Sequence, residues 1–150
     1  MKFLVTDECV RLARWLRLCG YDSTVASVRE LSSLYRQAYN EGRVIVTRNH
    51  KVKGGSLFSV ITLSSQRLEE QLRQLANAGV LTIDDASTFT RCDICNIALE
   101  PIEKSQVKGL VAPYVFKTQE KFHTCQSCKR IYWAATHRQR ISKLLNEVHC

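Results

Sequence analysis

Four cysteines fall in two pairs of identical spacing, Cys92-Asp-Ile-Cys95 and Cys125-Gln-Ser-Cys128, with 29 residues between the pairs. Each pair fits a tight turn whose two thiolates converge on one ion, and two such turns complete a tetrahedral sulfur shell for zinc. With every position of that shell filled by sulfur, no place remains for a reacting water, so the expected zinc is structural. A redox CxxC needs no second copy, and paired disulfides do not persist in a reducing compartment. A second set of groups carries oxygen. Asp7-Glu8 follow the apolar run 2–5, and Arg48-Asn49-His50 follow the β-branched run 44–47. If both runs are strands of one parallel sheet, these residues lie at its carboxyl end, where open α/β sheets take their ligands. Oxygen donors there suit Mg²⁺ or Mn²⁺, hard cations that activate water for phosphodiester cleavage. Asp7 equally fits a helix N-cap, with Glu8 favourably placed in the first turn.

The elements that must position these groups can be read from the periodicity. Residues 2–5 read as a buried strand and residues 9–19 as a helix spaced through Leu12, Leu16 and Cys19, stopped by Gly20. Val25 begins a short extended piece. Ser27 with Glu30 has capping-box spacing and predicts a helix running to about Asn40. The run 44–47 and a second run, Leu57 to Leu63, read as buried strands, and Gln66 to Ala78 as a helix capped by Ser64-Ser65. This order predicts an α/β unit with a mostly parallel sheet over residues 1–90. In residues 91–150 the pattern changes: 99–107 and 111–118 read as hairpin strands with Pro113 at an edge or a bulge, 130–133 as a strand, and His137 to about Val148 as a basic helix.

Charge suggests a partner. Lys and Arg number 22 against 14 Asp and Glu, a net charge of +8, which favours a polyanion such as nucleic acid and is also compatible with mere solubility. Residues 1–90 carry twelve basic and nine acidic groups and residues 91–150 carry ten and five, so the tail is the more basic part. Arg11, Arg14 and Arg17, at three-residue spacing, could track a phosphate backbone, as could Arg48, Lys129, Arg130 and Arg138. His137 is a candidate for phosphate contact or general acid work. Tyr114, Phe116, Tyr132 and Trp133, interleaved with lysines, fit single-stranded RNA or DNA, although a small ribbon also needs aromatics for its own core. Trp15 reads as packing, and Cys9 and Cys19 as small buried hydrophobes. No apolar run approaches the roughly 18–20 residues of a membrane span, and the amino end meets Asp7 too early for a secretory signal, so a cytoplasmic protein is expected.

Arg11-Leu-Ala-Arg-Trp-Leu-Arg17 with Gly20-Tyr-Asp22, then Glu41-Gly-Arg-Val-Ile-Val-Thr-Arg48, then Arg91-Cys-Asp-Ile-Cys-Asn96, then Cys125-Gln-Ser-Cys-Lys-Arg-Ile-Tyr-Trp133 with Thr136-His137, together resemble the Mut-seven C-terminal RNase domain family. The resemblance spans nearly the whole chain. It implies a PIN-like nuclease fold with an appended zinc ribbon, cutting RNA with an acid-bound divalent metal. The family places an Asp where this chain has Thr6, with Asp7 and Glu8 following, and an Asp where this chain has Asn49; its further acid near the second helix is matched best by Glu30. The implied catalytic set is therefore Asp7, Glu8, Glu30 and Asn49. The alternative is a catalytically degenerate RNA-binding module or ribonucleoprotein adaptor, and a protein-interaction partner is the more distant third.

Overall fold

A computed structural model describes residues 1–84 and 86–133 together with positions 139, 143 and 146. Of the expected terminal helix, positions 139, 143 and 146 are helical, and the rest of it, His137 and Arg138 included, lies outside the described residues. The first part of the chain runs β1 (Lys2–Thr6), α1 (Val10–Leu18), β2 (Asp22–Ala26), α2 (Leu31–Glu41), β3 (Arg43–Thr47), β4 (Val60–Thr62) and α3 (Leu68–Asn77), with a 3₁₀ turn at Asp7–Cys9 leading into α1. The four strands form one parallel sheet in the order β2-β1-β3-β4.

Alternation along the strands divides the core into two layers. Phe3, Val5 and Val46 face α1 and α3, packing on Leu12, Leu16, Leu72 and Leu75. Leu4 and Ile45 face the other way, onto Leu34 and Ala38 of α2 and Val52 of the loop after β3. Both faces are thus covered by helices, as an all-parallel sheet requires. Because the chain steps from β1 to β2 on one side and then crosses to β3 on the other, the switch point of the sheet lies between β1 and β3.

Several boundaries differ from the sequence expectation. Ser27 and Glu30 do not form a capping box: the Ser27 hydroxyl accepts the Arg29 N–H at 3.2 Å, and α2 starts only at Leu31. The strand expected from Leu57 shrinks to three residues, and Leu57 is 68% exposed. Residues 113–118 form α4 (Pro113–Thr118) and not a strand, because Pro113 occupies the first helical turn, where its missing N–H costs nothing. The segment expected as a first hairpin strand gives β5 (Glu100–Ile102) followed by a 3₁₀ turn at Lys104–Val107. β6 (Phe122–Thr124) and β7 (Ile131–Tyr132) complete a three-stranded antiparallel sheet in the order β5-β6-β7.

This second part packs on α1. Leu18, Phe89, Cys92, Cys125 and Tyr132 are buried in one cluster, with Trp15 against it. Gly20, which ends α1 at φ +93°, is where the connecting segment crosses closest: a Cβ there would stand 2.4 Å from the Ser87 carbonyl oxygen. Only glycine meets both conditions, the left-handed backbone and the close approach.

Candidate functional site

The two CxxC turns are built alike. In the first, the Asn96 N–H donates to the Cys92 carbonyl at 3.0 Å and Asn96 has φ 62°; in the second, the Lys129 N–H donates to the Cys125 carbonyl at 2.8 Å with φ 63°. A left-handed residue straight after the second cysteine folds each turn back, so that the Cys95 N–H reaches the Cys92 Sγ at 3.3 Å and the Cys128 N–H the Cys125 Sγ at 3.5 Å. The four sulfurs all lie within 4.8 Å of one another, with Cys92 and Cys128 3.8 Å apart. Tetrahedral zinc with Zn–S bonds of about 2.3 Å has sulfurs about 3.8 Å apart, so the donor set and its spacing fit this ion. Burial would raise the Cys92 thiol, yet the Tyr132 hydroxyl and the N–H groups of Cys95 and Ile94 bring it down to about 7, favouring the thiolate that a metal needs. His123 lies on β6 and takes no part in the sulfur group.

Asp93, between the first two ligands, ties this centre to α1. Its Oδ2 accepts from Arg14 at 2.6 Å and its Oδ1 from the Tyr132 hydroxyl at 2.7 Å, while that hydroxyl stands 3.0 Å from the Cys92 Sγ. Arg17 donates to the carbonyls of Ser23, Asp93 and Ile94 at 2.7, 2.9 and 3.1 Å. Two of the three arginines expected on RNA are thus bonded to the first CxxC turn, Arg14 with 47% of its side chain still exposed, and Arg11 stays exposed. Arg48 is half-buried beside the strand ends, Lys129 reaches Gln126 at 3.3 Å, and Arg130 is exposed.

At the carboxyl end of the sheet the structure brings Glu8 to the switch point. Its Oε1 accepts from the Thr6 hydroxyl at 2.5 Å, the Thr47 hydroxyl at 2.9 Å and the Arg48 N–H at 2.9 Å. The two hydroxyls are 2.8 Å apart, and both threonines are fully buried. Burial pushes the Glu8 carboxyl up, but the Thr6 hydroxyl, the Arg48 N–H and the Thr47 hydroxyl outweigh it and leave the group below its ordinary value. Asp7 is exposed in the 3₁₀ turn and caps neither that turn nor α1, whose N-cap residues are Thr6 and Cys9. Asn49 closes a turn on itself, its Oδ1 accepting the Lys51 N–H at 2.9 Å and its own N–H donating to the Thr47 hydroxyl at 3.0 Å. Glu30 is at the same end of the sheet but beyond β2, accepting the Ser32 hydroxyl at 3.1 Å. Among the described residues the four cysteines form the only close group of three or more His, Cys, Asp or Glu donors; the acids do not gather in this way. Cys9 and Cys19 are buried, and burial pushes their thiols up to about 11 and about 12, far from a nucleophilic range.

Sequence reasoning did not anticipate Thr6 and Thr47 as partners of Glu8, nor Asp93 as a partner of Arg14. Thr47 carried a signal: a hydroxyl closing a run of buried β-branched residues needs an acceptor.

A helix-covered parallel sheet with polar side chains gathered at its switch point, and a four-cysteine cluster that could hold zinc packed against its first helix, define an α/β protein with a zinc-ribbon-like second part. The model of the Mut7-C RNAse domain family matches residues 1–145 of the 150, and the chain belongs to that family. No curated protein and no solved structure matches it. Membership points to ribonuclease chemistry, with RNA as substrate or partner. No described helix is long and apolar enough to cross a membrane.

Proposed function

We propose that the chain is a PIN-like, metal-dependent endoribonuclease that cuts RNA at the carboxyl ends of β1 and β3, with Glu8 as the carboxylate that seats the cation. The carrying observation is the triangle of oxygens formed by Glu8 Oε1, Thr6 Oγ1 and Thr47 Oγ1, with sides of 2.5, 2.8 and 2.9 Å. These are hydrogen-bond lengths: both buried hydroxyls donate to one carboxylate oxygen and fix the Glu8 charge at the switch point. Glu8 supplies the charge for the cation, and the two hydroxyls orient that charge. Mg²⁺ or Mn²⁺ held there would lower the pKa of an attacking water and neutralise charge on the phosphate. The Arg48 N–H fixes the Glu8 carboxylate, Asp7 stands one residue away in the exposed turn, and Arg11, Arg48, Lys51 and Lys53 form a cationic rim for the RNA backbone. Residues 1–90 are the nuclease part and residues 91–150 the ribbon that helps hold single-stranded RNA, in the cytoplasm.

A second reading, an RNA-binding module or ribonucleoprotein adaptor that no longer cuts, is favoured by a specific observation: the Asn49 carbonyl is already engaged by Lys51, and no trio of carboxylates gathers among the described residues. The two separate cleanly. Incubation of labelled single-stranded RNA with the zinc-loaded protein in Mn²⁺ or Mg²⁺ is expected to give products that a chelator abolishes. Salt-sensitive retention of intact RNA in every divalent metal would instead establish the adaptor.

A further inference from the structure

A cavity of about 200 Å³ opens between α1 and the end of the ribbon, with Arg14, Leu18, Asp93, Arg130, Ile131 and Trp133 in its wall. We propose that it is a second RNA subsite, remote from the strand ends in sequence and chemistry, that receives one nucleobase against Trp133 while Arg130 holds the adjoining phosphate. This rests on the proposal that the chain acts on RNA.

Three features set the ligand class. The volume lies below the roughly 300–1,000 Å³ of sites that enclose a drug-sized molecule, so the cavity suits one ring system with its sugar and phosphate left outside. The wall offers a flat aromatic surface: Trp133 is half-buried, packs on Phe122 with ring centroids 6.5 Å apart, and still lines the cavity beside the apolar Leu18 and Ile131. The charge is positive, with two guanidiniums against one carboxylate. That carboxylate is already satisfied, since Asp93 accepts from Arg14 at 2.6 Å and Tyr132 at 2.7 Å. Arg130, by contrast, is 54% exposed and comes only within 3.9 Å of Asp93, its one ion-pair partner among the described residues, so its fork of N–H donors can meet a phosphate oxygen. An aromatic plane next to an accessible guanidinium is the pairing that holds single-stranded nucleic acid with little regard to sequence.

The test is equilibrium binding of a fluorescent single-stranded RNA to the full-length, zinc-loaded protein over a range of salt, with Ca²⁺ present so that cleavage does not intervene. Arg130→Ala is expected to bind about fivefold more weakly and to lower the salt slope by about one, as loss of one phosphate contact does. Trp133→Ala is expected to bind about tenfold more weakly and Trp133→Phe to recover most of the loss, with unchanged zinc content certifying the ribbon. Wild-type affinity and salt slope in Arg130→Ala would overturn the subsite while leaving RNA as the partner. Failure of the wild-type protein to retain RNA even at low salt would overturn both. Subsite-dependent binding together with no cutting of the same RNA in Mn²⁺ or Mg²⁺ would uphold the subsite and remove the nuclease.

Discussion

Glu8 and Asn49 both bond the Thr47 hydroxyl at the switch point and behave differently. Three donors converge on one oxygen of Glu8 and keep it ionised below the ordinary carboxyl range, so this charge is present throughout neutral and mildly acidic pH. Asn49 brings only a neutral carbonyl, engaged by the Lys51 N–H. Aspartate at position 49 can accept that same N–H, so Asn49→Asp is expected to keep the turn and add charge beside Glu8. The RNA cleavage rate at subsaturating Mn²⁺ should rise several-fold; an unchanged Mn²⁺ dependence would place Asn49 outside the cation's reach. At this scale the sulfur ligands were legible in the sequence because a CxxC turn is a local object. The Glu8 triangle was not, because it joins Thr6 to Thr47, 41 residues apart, through the pairing of β1 with β3. For the same reason Arg14 and Arg17 read as phosphate contacts until their partners, 76 to 79 residues further along, came into view.

Two clamps hold the elements in place. In the first, Arg43 at the start of β3, only 8% exposed at its side chain, donates to Asp22 at 2.8 Å, to the Phe3 carbonyl at 3.2 Å and to Glu41, and Asp22 also accepts from Asn96 at 2.8 Å. β2, β1, β3 and the first CxxC turn thus meet at one guanidinium. Arg43→Met leaves the half-buried Asp22 without its cation and should cost about 3–5 kcal/mol in urea unfolding, with Arg43→Lys recovering only part. The second clamp is Asp93 with Arg14 and Tyr132. Burial pushes the Asp93 carboxyl up, but the Tyr132 hydroxyl and Arg14 outweigh it and hold it below the ordinary 3.8. Its contribution to stability is therefore complete above that pH and is lost as pH falls through the lower folded-state value. Asp93→Asn should cost about 1–3 kcal/mol at pH 7, and its loss of stability below pH about 4 should be shallower than that of the wild type. Parallel acid curves for the two proteins would show that Asp93 does not titrate with unfolding. Element types in the first ninety residues followed from apolar periodicity, since both faces of the sheet are covered. The ribbon did not follow so well, because elements of two to six residues are set by the two turns and by Pro113 more than by any period.

Across the whole molecule, the parallel sheet and the cysteine centre share α1, and the cluster of Leu18, Phe89, Cys92, Cys125 and Tyr132 spans the junction. Removing the metal should therefore be felt beyond the ribbon. One zinc per chain is expected by elemental analysis, and stripping it with a strong chelator should lower the melting temperature and slacken the packing around Trp15 and Trp133, read as a red shift in tryptophan emission. Cys125→Ser should reproduce both effects, and a stripped protein that melts like the holoprotein would deny the ion a structural role. The net charge of +8 makes any RNA complex sensitive to salt, so affinities are comparable only at fixed ionic strength. The claim on which the functional account depends is that one carboxylate at the switch point organises cleavage. Its most direct test is the rate of cutting of labelled single-stranded RNA in Mn²⁺ by the wild type, Glu8→Gln and Asp7→Asn at equal zinc content. The account predicts a loss of about 100-fold or more for Glu8→Gln and at most a few-fold for Asp7→Asn. Equal rates for wild type and Glu8→Gln would contradict it.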